Sequence, residues 1–283
     1  MKRLISHLKL LWRAIVCATL PSLILTPALH AATAPWQESL GGRVRLISGG
    51  KHGEEYKAGL EIVLDAGWKT YWKVPGDSGI PPFLDAAASQ NVAKLDIKWP
   101  TPVRYKVGSD EMLGFKDAII FPLLLTPEDP TKPIELKLNA QLGLCSELCV
   151  PFSADFSLLI PEGSNSDPGS ELLIDRDMVL VPKKPSDGFS IVKLEQEKHV
   201  DAPDRLIITT SIPDGYGNKD LFVEGPEDWL LPLTKPLGEV GNQQRFELLL
   251  DGLPKDGNSE GARLTFTLTN GDESVEQSVV LEK

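Results

Sequence analysis

The 283-residue chain contains few of the residues that build most catalytic and metal sites. It has three cysteines and four histidines, and only His52 and His199 lie beyond the first 31 residues. A closed zinc site needs four ligands, and a Ser-His-Asp or paired-carboxylate hydrolase site needs a supporting motif. The sequence therefore favours neither kind of site. It also contains no Gly-rich phosphate loop, no repeat of helical period and no low-complexity tract.

Long apolar runs are absent beyond the N-terminus, where the pattern is that of a secretory signal. Residues 1–13 carry four bases and no acid, residues 14–25 are apolar, and Ala31 and Ala32 offer a cleavage site. An uncleaved anchor over 14–34 is the alternative, but Pro21, Pro27 and His30 argue against it. We therefore expect a signal peptide over 1–31 and a soluble mature protein in the periplasm.

Basic residues are outnumbered, with 29 Lys and Arg against 40 Asp and Glu and a formal charge of −11. Cleavage removes four bases and no acids, so the mature chain has a formal charge of −15. Nucleic acid and anionic membrane surfaces are poor partners for such an acidic protein. The acidic balance therefore argues against a nucleic-acid-binding function and against stable membrane insertion of the mature chain.

The remaining sequence predicts an all-β fold. Short runs that alternate apolar and polar residues, or that are bounded by Gly, Pro and Asp, indicate strands. These runs are 44–47, 58–64, 94–99, 118–125, 134–140, 152–160, 189–194, 206–212, 221–224, 245–250, 263–269 and 275–281. The turn at 270–272 predicts a hairpin, and the piece 172–181 a short helix. We expect two consecutive antiparallel immunoglobulin-like β-sandwich domains, over 32–162 and 188–283, joined by a linker over 163–187.

The chemistry of the mature chain rests on its two cysteines, Cys145 and Cys149, because Cys17 lies in the signal. The strands around 134–142 and 152–160 place this pair at the tip of a hairpin, within reach of a disulfide. Three interpretations compete: a structural staple, thiolate-bound copper(I), and an exposed disulfide that exchanges with partner thiols. A disulfide that closes a loop of five residues stabilises the folded protein by only about 2 kcal/mol, which weakens the interpretation as a structural staple.

A family resemblance is carried by four segments, in the order 67–72, 110–114, 118–125 and 145–151. They resemble the N-terminal periplasmic domain of the thiol:disulfide interchange proteins DsbD and ScsB. The resemblance covers about 41–162. It implies that Cys149 exchanges with the partner and that Cys145 resolves the mixed disulfide.

The same resemblance gives roles to the residues around the pair. Asp110 and Glu111 match acids near the cysteines, which would raise the thiol pKa, and Tyr71 matches a neighbouring aromatic residue. The segment 110–114 matches a cap loop that shields the disulfide, in which Met112 replaces a phenylalanine and Gly114 is the expected hinge.

Further expectations concern partners and activity. The resemblance implies electron transfer from a membrane-embedded thiol reductase to periplasmic thioredoxin-like proteins, in settings such as cytochrome c biogenesis or copper tolerance. The activity would be that of a protein-disulfide reductase, with no cofactor and no metal. The cysteines are more closely spaced than in DsbD. The alternative function is a copper(I)-binding or redox-inert adaptor with a structural disulfide.

Overall fold

The computed structural model describes residues 33–76, 78–107, 109–165, 167–214, 217–241, 243–254 and 259–282. The predicted signal peptide over 1–31, with Cys17, lies outside these residues. Among the described residues, no helix is both long enough and apolar enough to cross a membrane.

The first half of the chain folds into two antiparallel sheets that pack face to face. In chain order the strands are β1 (Gln37–Ser39), β2 (Gly42–His52), β3 (Glu55–Leu64), β4 (Lys69–Gly76), β5 (Phe83–Asp85), β6 (Lys94–Ile97), β7 (Val103–Val107), β8 (Asp110–Lys116), β9 (Ala118–Thr126), β10 (Ile134–Cys145) and β11 (Cys149–Ile160). One sheet has the order β1-β2-β3-β9-β6 and the other the order β11-β10-β4-β8-β7, with β5 beside β10.

The core of this first sandwich follows from alternation along the strands. On β10, the buried residues Ile134, Leu136 and Leu138 alternate with half-buried polar ones, as a strand with one core face requires. Their partners on β11 follow the same pattern, and the two strands pair without a break from Ile134–Ile160 to the cysteines. Each fully buried aliphatic side chain contributes about 1.5–3 kcal/mol relative to exposure, so this face determines the register.

The helix α1 (Pro168–Met178) follows the first sandwich. It begins four residues before the predicted piece 172–181, because Asp167 caps it by accepting hydrogen bonds from the backbone and side chain of Ser170. Ile174 of α1 packs with Ile47 and Ile120 on the outer face of the first sheet.

The second sandwich has its own apolar core, and its described residues form seven strands. The strands are β12 (Ser190–Glu197), β13 (Arg205–Ser211), β14 (Lys219–Glu224), β15 (Lys235–Val240), β16 (Gln243–Leu249), β17 (Arg263–Asn270) and β18 (Glu273–Val280). Their sheets have the orders β12-β13-β16-β15 and β14-β17-β18. The hairpin predicted at 270–272 is confirmed, since Asn270 pairs with Glu273 across the turn. The all-β expectation of two antiparallel immunoglobulin-like sandwiches is therefore confirmed.

Strand β14 has one face in each sandwich. Leu221 and Val223 are buried in the second core. The alternate residues Asp220, Phe222 and Glu224 contact the first sandwich at Arg104, Trp72 and Lys73 respectively. Because side chains of a strand alternate between its faces, one short strand both completes the second core and joins the two sandwiches.

Candidate functional site

The two cysteines close the hairpin formed by β10 and β11. Cys145 is the last residue of β10, Cys149 is the first of β11, and the two are direct cross-strand partners. A disulfide joins them, with the Cα atoms 4.1 Å apart. Directly opposite residues of an antiparallel pair lie close enough for such a bond. The predicted position of the pair at a hairpin tip is therefore confirmed.

The two sulfur-bearing residues differ in their access to solvent. Cys145 is only 4% exposed, whereas Cys149 is exposed and follows Leu148, which is 64% exposed. Cys145 has strand neighbours on both sides, Lys69 of β4 and Cys149 of β11, whereas Cys149 lies on the edge strand of the sheet. Cys149 is therefore the more accessible of the two residues.

Tyr71 lies directly beneath the disulfide. Its hydroxyl donates a hydrogen bond to Cys145 Sγ at 2.8 Å and lies 3.3 Å from Cys149 Sγ. The ring is fully buried against Gly79 and Gly143, where an added Cβ would lie within 2.9 Å of ring carbons. Burial raises the pKa of Tyr71, so the hydroxyl remains a proton donor at neutral pH.

A small apolar cluster surrounds the buried sulfur on the outer face of the second sheet. It contains Tyr71, Met112 and Cys145, with Tyr105 and Val107 packed against it. We call it the redox cluster. It lies on the outer face because neighbouring residues on the same strands, such as Trp72 and Leu113, belong to the main core.

The segment 110–114, expected to be a cap loop, is instead part of strand β8. It pairs with β7, and we call these two strands the cap hairpin. Met112 is 4% exposed and packs in the redox cluster, because alternation along β8 directs its side chain toward the disulfide. Met112 is thus a buried strand residue and not part of a surface loop, and its role as a shield stays a prediction.

Gly114 does not have the conformation of a hinge. It lies inside β8, pairs with Tyr71 and Val103, and is not among the glycines with positive φ. A Cβ at this position would lie 2.0 Å from the carbonyl oxygen of Thr70. The close approach of β4 therefore requires a glycine here, and its role as a hinge stays a prediction.

The two acidic residues have partners other than the cysteines. Asp110 accepts hydrogen bonds from Ser78 at 2.7 Å and from Ser109 at 3.1 Å. Glu111 binds Arg104 at 2.9 Å, and Lys106 lies 3.4 Å away. The hydrogen bond from Arg104 lowers the pKa of Glu111. The expected effect of Asp110 and Glu111 on the thiol pKa stays a prediction.

Sequence reasoning did not identify Arg104 or Tyr105. The hydroxyl of Tyr105 is buried without a hydrogen-bond partner among the described residues. Burial raises the pKa of Tyr105, and the neighbouring Tyr71 raises it further. The alternation of Val103, Tyr105 and Val107 was the available signal for a strand beside the cap segment. Within the described ranges, no three His, Cys, Asp or Glu side chains converge as metal ligands.

This arrangement can support thiol–disulfide exchange. Cys149 is exposed, Cys145 is buried and its sulfur can leave or attack, and the Tyr71 hydroxyl donates a hydrogen bond to that buried sulfur. Exchange proceeds by attack of a thiolate on one sulfur of a disulfide, which expels the other. A donor at the expelled sulfur stabilises the charge that develops there.

Two solved structures are similar to this chain to different degrees. The chain is similar in structure to the N-terminal periplasmic domain of ScsB from Proteus mirabilis, with a TM-score of 0.69, 20% identity and coverage of 89% of this chain and 99% of that one. A conserved domain protein from Bacillus anthracis gives a TM-score of 0.24 at 13% identity, covering 90% and 91% of the two chains. No curated protein sequence matches the chain.

The ScsB likeness establishes a shared fold that extends over both sandwiches. The family model described as thiol:disulfide interchange protein DsbD, N-terminal, matches residues 44–161, which include the cap hairpin, Tyr71 and both cysteines. Together, the family match and the ScsB likeness support a DsbD/ScsB N-terminal domain over residues 44–161.

Proposed function

We propose that Cys145 and Cys149 form a redox couple that transfers electrons between a membrane-embedded thiol reductase and periplasmic thioredoxin-like proteins. The observation that carries this proposal is the unequal exposure of the pair, with Cys149 exposed and Cys145 buried beside Tyr71 and Met112. A purely structural disulfide has no need for one accessible and one shielded end. The family model that matches residues 44–161, described as thiol:disulfide interchange protein DsbD, N-terminal, supports the same chemistry.

The exchange has two steps. The thiolate of the reductase attacks Cys149 Sγ, the Cys145–Cys149 bond breaks, and Cys145 leaves as a thiolate that accepts the hydrogen bond of Tyr71. A second cysteine of the reductase then attacks the mixed disulfide and releases Cys149 as a thiolate. The reductase is oxidised to its disulfide and this protein gains two electrons. Transfer to a client disulfide follows the same steps in reverse.

The cap hairpin restricts this reaction to suitable partners. Met112 and Tyr105 pack in the redox cluster beside Cys145, on the buried side of the disulfide, so small thiols have limited access from that side. A partner that displaces the hairpin gains access. We further propose that the protein is exported to the periplasm, as its N-terminal sequence indicates and as holds for the similar ScsB domain.

Covalent trapping tests the proposal. In the Cys145→Ser variant, Cys149 is the one cysteine of the mature chain, so a mixed disulfide with a partner cannot be resolved from this side. We expect it to accumulate reductant-sensitive complexes with thioredoxin-fold proteins in the native envelope, identified by mass spectrometry after a non-reducing gel.

The matched control is Cys149→Ser, which leaves the buried Cys145 as the remaining thiol. Because this thiol is 4% exposed, we expect far less trapped partner. Equal trapping by the two variants, or none by Cys145→Ser, would refute the proposed roles.

A further inference from the structure

One residue of the cap hairpin is bound by the second sandwich. The guanidinium of Arg104, on β7, forms a two-pronged ion pair with Asp220 of β14, from Nε to Oδ2 at 2.8 Å and from Nη2 to Oδ1 at 2.9 Å. Its Nη1 donates to Glu111 of β8 at 2.9 Å, and Nη2 lies 3.4 Å from Thr234 Oγ1. Arg104 thus joins both strands of the cap hairpin to the second sandwich.

This ion pair is shielded from solvent and geometrically fixed. The side chains of Arg104 and Asp220 are 16% and 12% exposed, so water and salt screen the pair weakly. The planar guanidinium matches both carboxylate oxygens, which a lysine cannot do. Asp220 is oriented in turn, because its backbone N–H donates to Thr269 and its Oδ1 accepts from the N–H of Leu221.

Apart from the exposed hydrogen bond from Ser78 to Asp110, the cap hairpin has few other attachments near the disulfide. It lies at the edge of its sheet, with β7 outermost. Strand β8 pairs with β4 from Lys116 to Gly114, after which the register shifts and a single further pair, Met112 with Gly76, follows. Because backbone pairing is sparse along the half of β8 that carries Met112, side-chain attachments determine how firmly that half is closed.

The second ion pair on this face of β14 does not reach the cap hairpin, since Glu224 binds Lys73 of β4 at 2.7 Å. Phe222 packs against Trp72 of β4, and the guanidinium carbon of Arg104 lies 5.9 Å from the centre of the Phe222 ring. Asp220 is therefore the residue on this face of β14 that binds the cap hairpin by an ion pair.

We propose that the second sandwich keeps the cap hairpin closed over the Cys145–Cys149 disulfide, with Asp220 and Arg104 as the positioning residues. This inference rests on the proposed function, in which Met112 shields an exchanging disulfide. It gives the second sandwich a role in the reaction although it holds no cysteine in its described residues. A partner that displaces the hairpin must also break the contact with Asp220, so docking at either sandwich influences access to the disulfide.

The test compares two isosteric substitutions on the same face of the same strand. Asp220→Asn removes the charge that binds the cap hairpin, whereas Glu224→Gln removes a charge that binds β4. Reduction through a minor open state proceeds in proportion to the population of that state, so we expect Asp220→Asn to react with dithiothreitol about fivefold faster or more than the parent. Glu224→Gln should remain within about twofold of the parent, as expected if its contact does not bias that equilibrium.

A double variant separates positioning from general loosening. If Asp220 acts through the shield, the Asp220→Asn/Met112→Ala protein should react no faster than Met112→Ala alone. All rates are measured on the full mature chain well below the thermal unfolding midpoint. If Asp220→Asn fails to fold, Arg104→Lys replaces it, because lysine keeps the charge but loses the two-pronged geometry.

The outcomes distinguish this inference from the proposed shield. Faster reduction of Met112→Ala together with a parent-like rate of Asp220→Asn would overturn the role of the second sandwich and leave the shield intact. A parent-like rate of Met112→Ala would overturn the shield and, with it, this inference. Equal acceleration by Asp220→Asn and Glu224→Gln would indicate general loosening between the sandwiches and would also overturn it.

Discussion

Substitution of Tyr71 by phenylalanine isolates the contribution of one hydroxyl to the exchange reaction. The variant keeps the ring that packs against Gly79 and Gly143 and removes the donor that lies 2.8 Å from Cys145 Sγ. When a thiol attacks Cys149, negative charge develops on the departing Cys145 sulfur. Without the hydroxyl, this charge develops in a buried position that lacks its donor, so we expect slower reduction of the disulfide.

The size of the effect follows from the strength of such a bond. A hydrogen bond to a charged group contributes about 1.5–3 kcal/mol. With roughly half of the charge on the departing sulfur in the transition state, about 0.7–1.5 kcal/mol is lost. Because about 1.4 kcal/mol corresponds to a factor of ten in rate, reduction should slow by about three- to tenfold.

Stopped-flow reduction by dithiothreitol at pH 7 measures this rate. Tyr105→Phe is the matched control, since it removes another buried tyrosine hydroxyl from the redox cluster, one without a hydrogen-bond partner among the described residues. We expect the control to react at the parent rate. A parent-like rate for Tyr71→Phe, or equal slowing by both variants, would refute a role of the hydroxyl in charge stabilisation.

Three further predictions concern stability. Met112→Ala should lower the free energy of unfolding by about 2–3 kcal/mol in urea, because Met112 is 4% exposed; a loss below about 1 kcal/mol would contradict the close packing of this side chain. The Cys145→Ser/Cys149→Ser protein should fold, with a loss of at most about 2 kcal/mol and no exchange activity, and failure to fold would favour a structural staple. Burial raises the pKa of Tyr105, so above about pH 10 the unfolded state binds fewer protons and stability falls as pH rises. Tyr105→Phe should flatten this fall in unfolding midpoints from about pH 9 to 11, and an unchanged slope would contradict the prediction.

The strands were predictable where apolar and polar residues alternate over several positions, whereas β8, which lacks this alternation, was expected to be a loop. The alternation over 134–140 and 152–160 correctly predicts β10 and β11, because a two-residue period determines which side chains enter the core. Strand β15 was missed, since all its residues are exposed and no apolar alternation marks it. The start of α1 was also missed, because its signal is the cap at Asp167 and not an apolar period.

The site was only partly predictable, for a different reason. The cysteine spacing and flanking strands predict the hairpin tip, and the resemblance drew attention to Tyr71 and Met112. The ion pair of Arg104 with Asp220 joins residues 116 positions apart, and no local pattern links them. This ion pair forms only because the two sandwiches pack together, and the alternation of residues along single strands does not predict that packing.

The double role of β14 has a consequence for how the protein unfolds. A shift of one residue in this strand would move Leu221 and Val223 out of the second core and turn Asp220 and Glu224 into it, so the register that completes the second core also creates the contact with the first. Phe222 in turn belongs to the apolar cluster of the first sandwich. Unfolding of β14 would therefore remove apolar side chains from both cores at once. Thermal unfolding of the full chain should therefore be a single cooperative transition, although two separate cores are present.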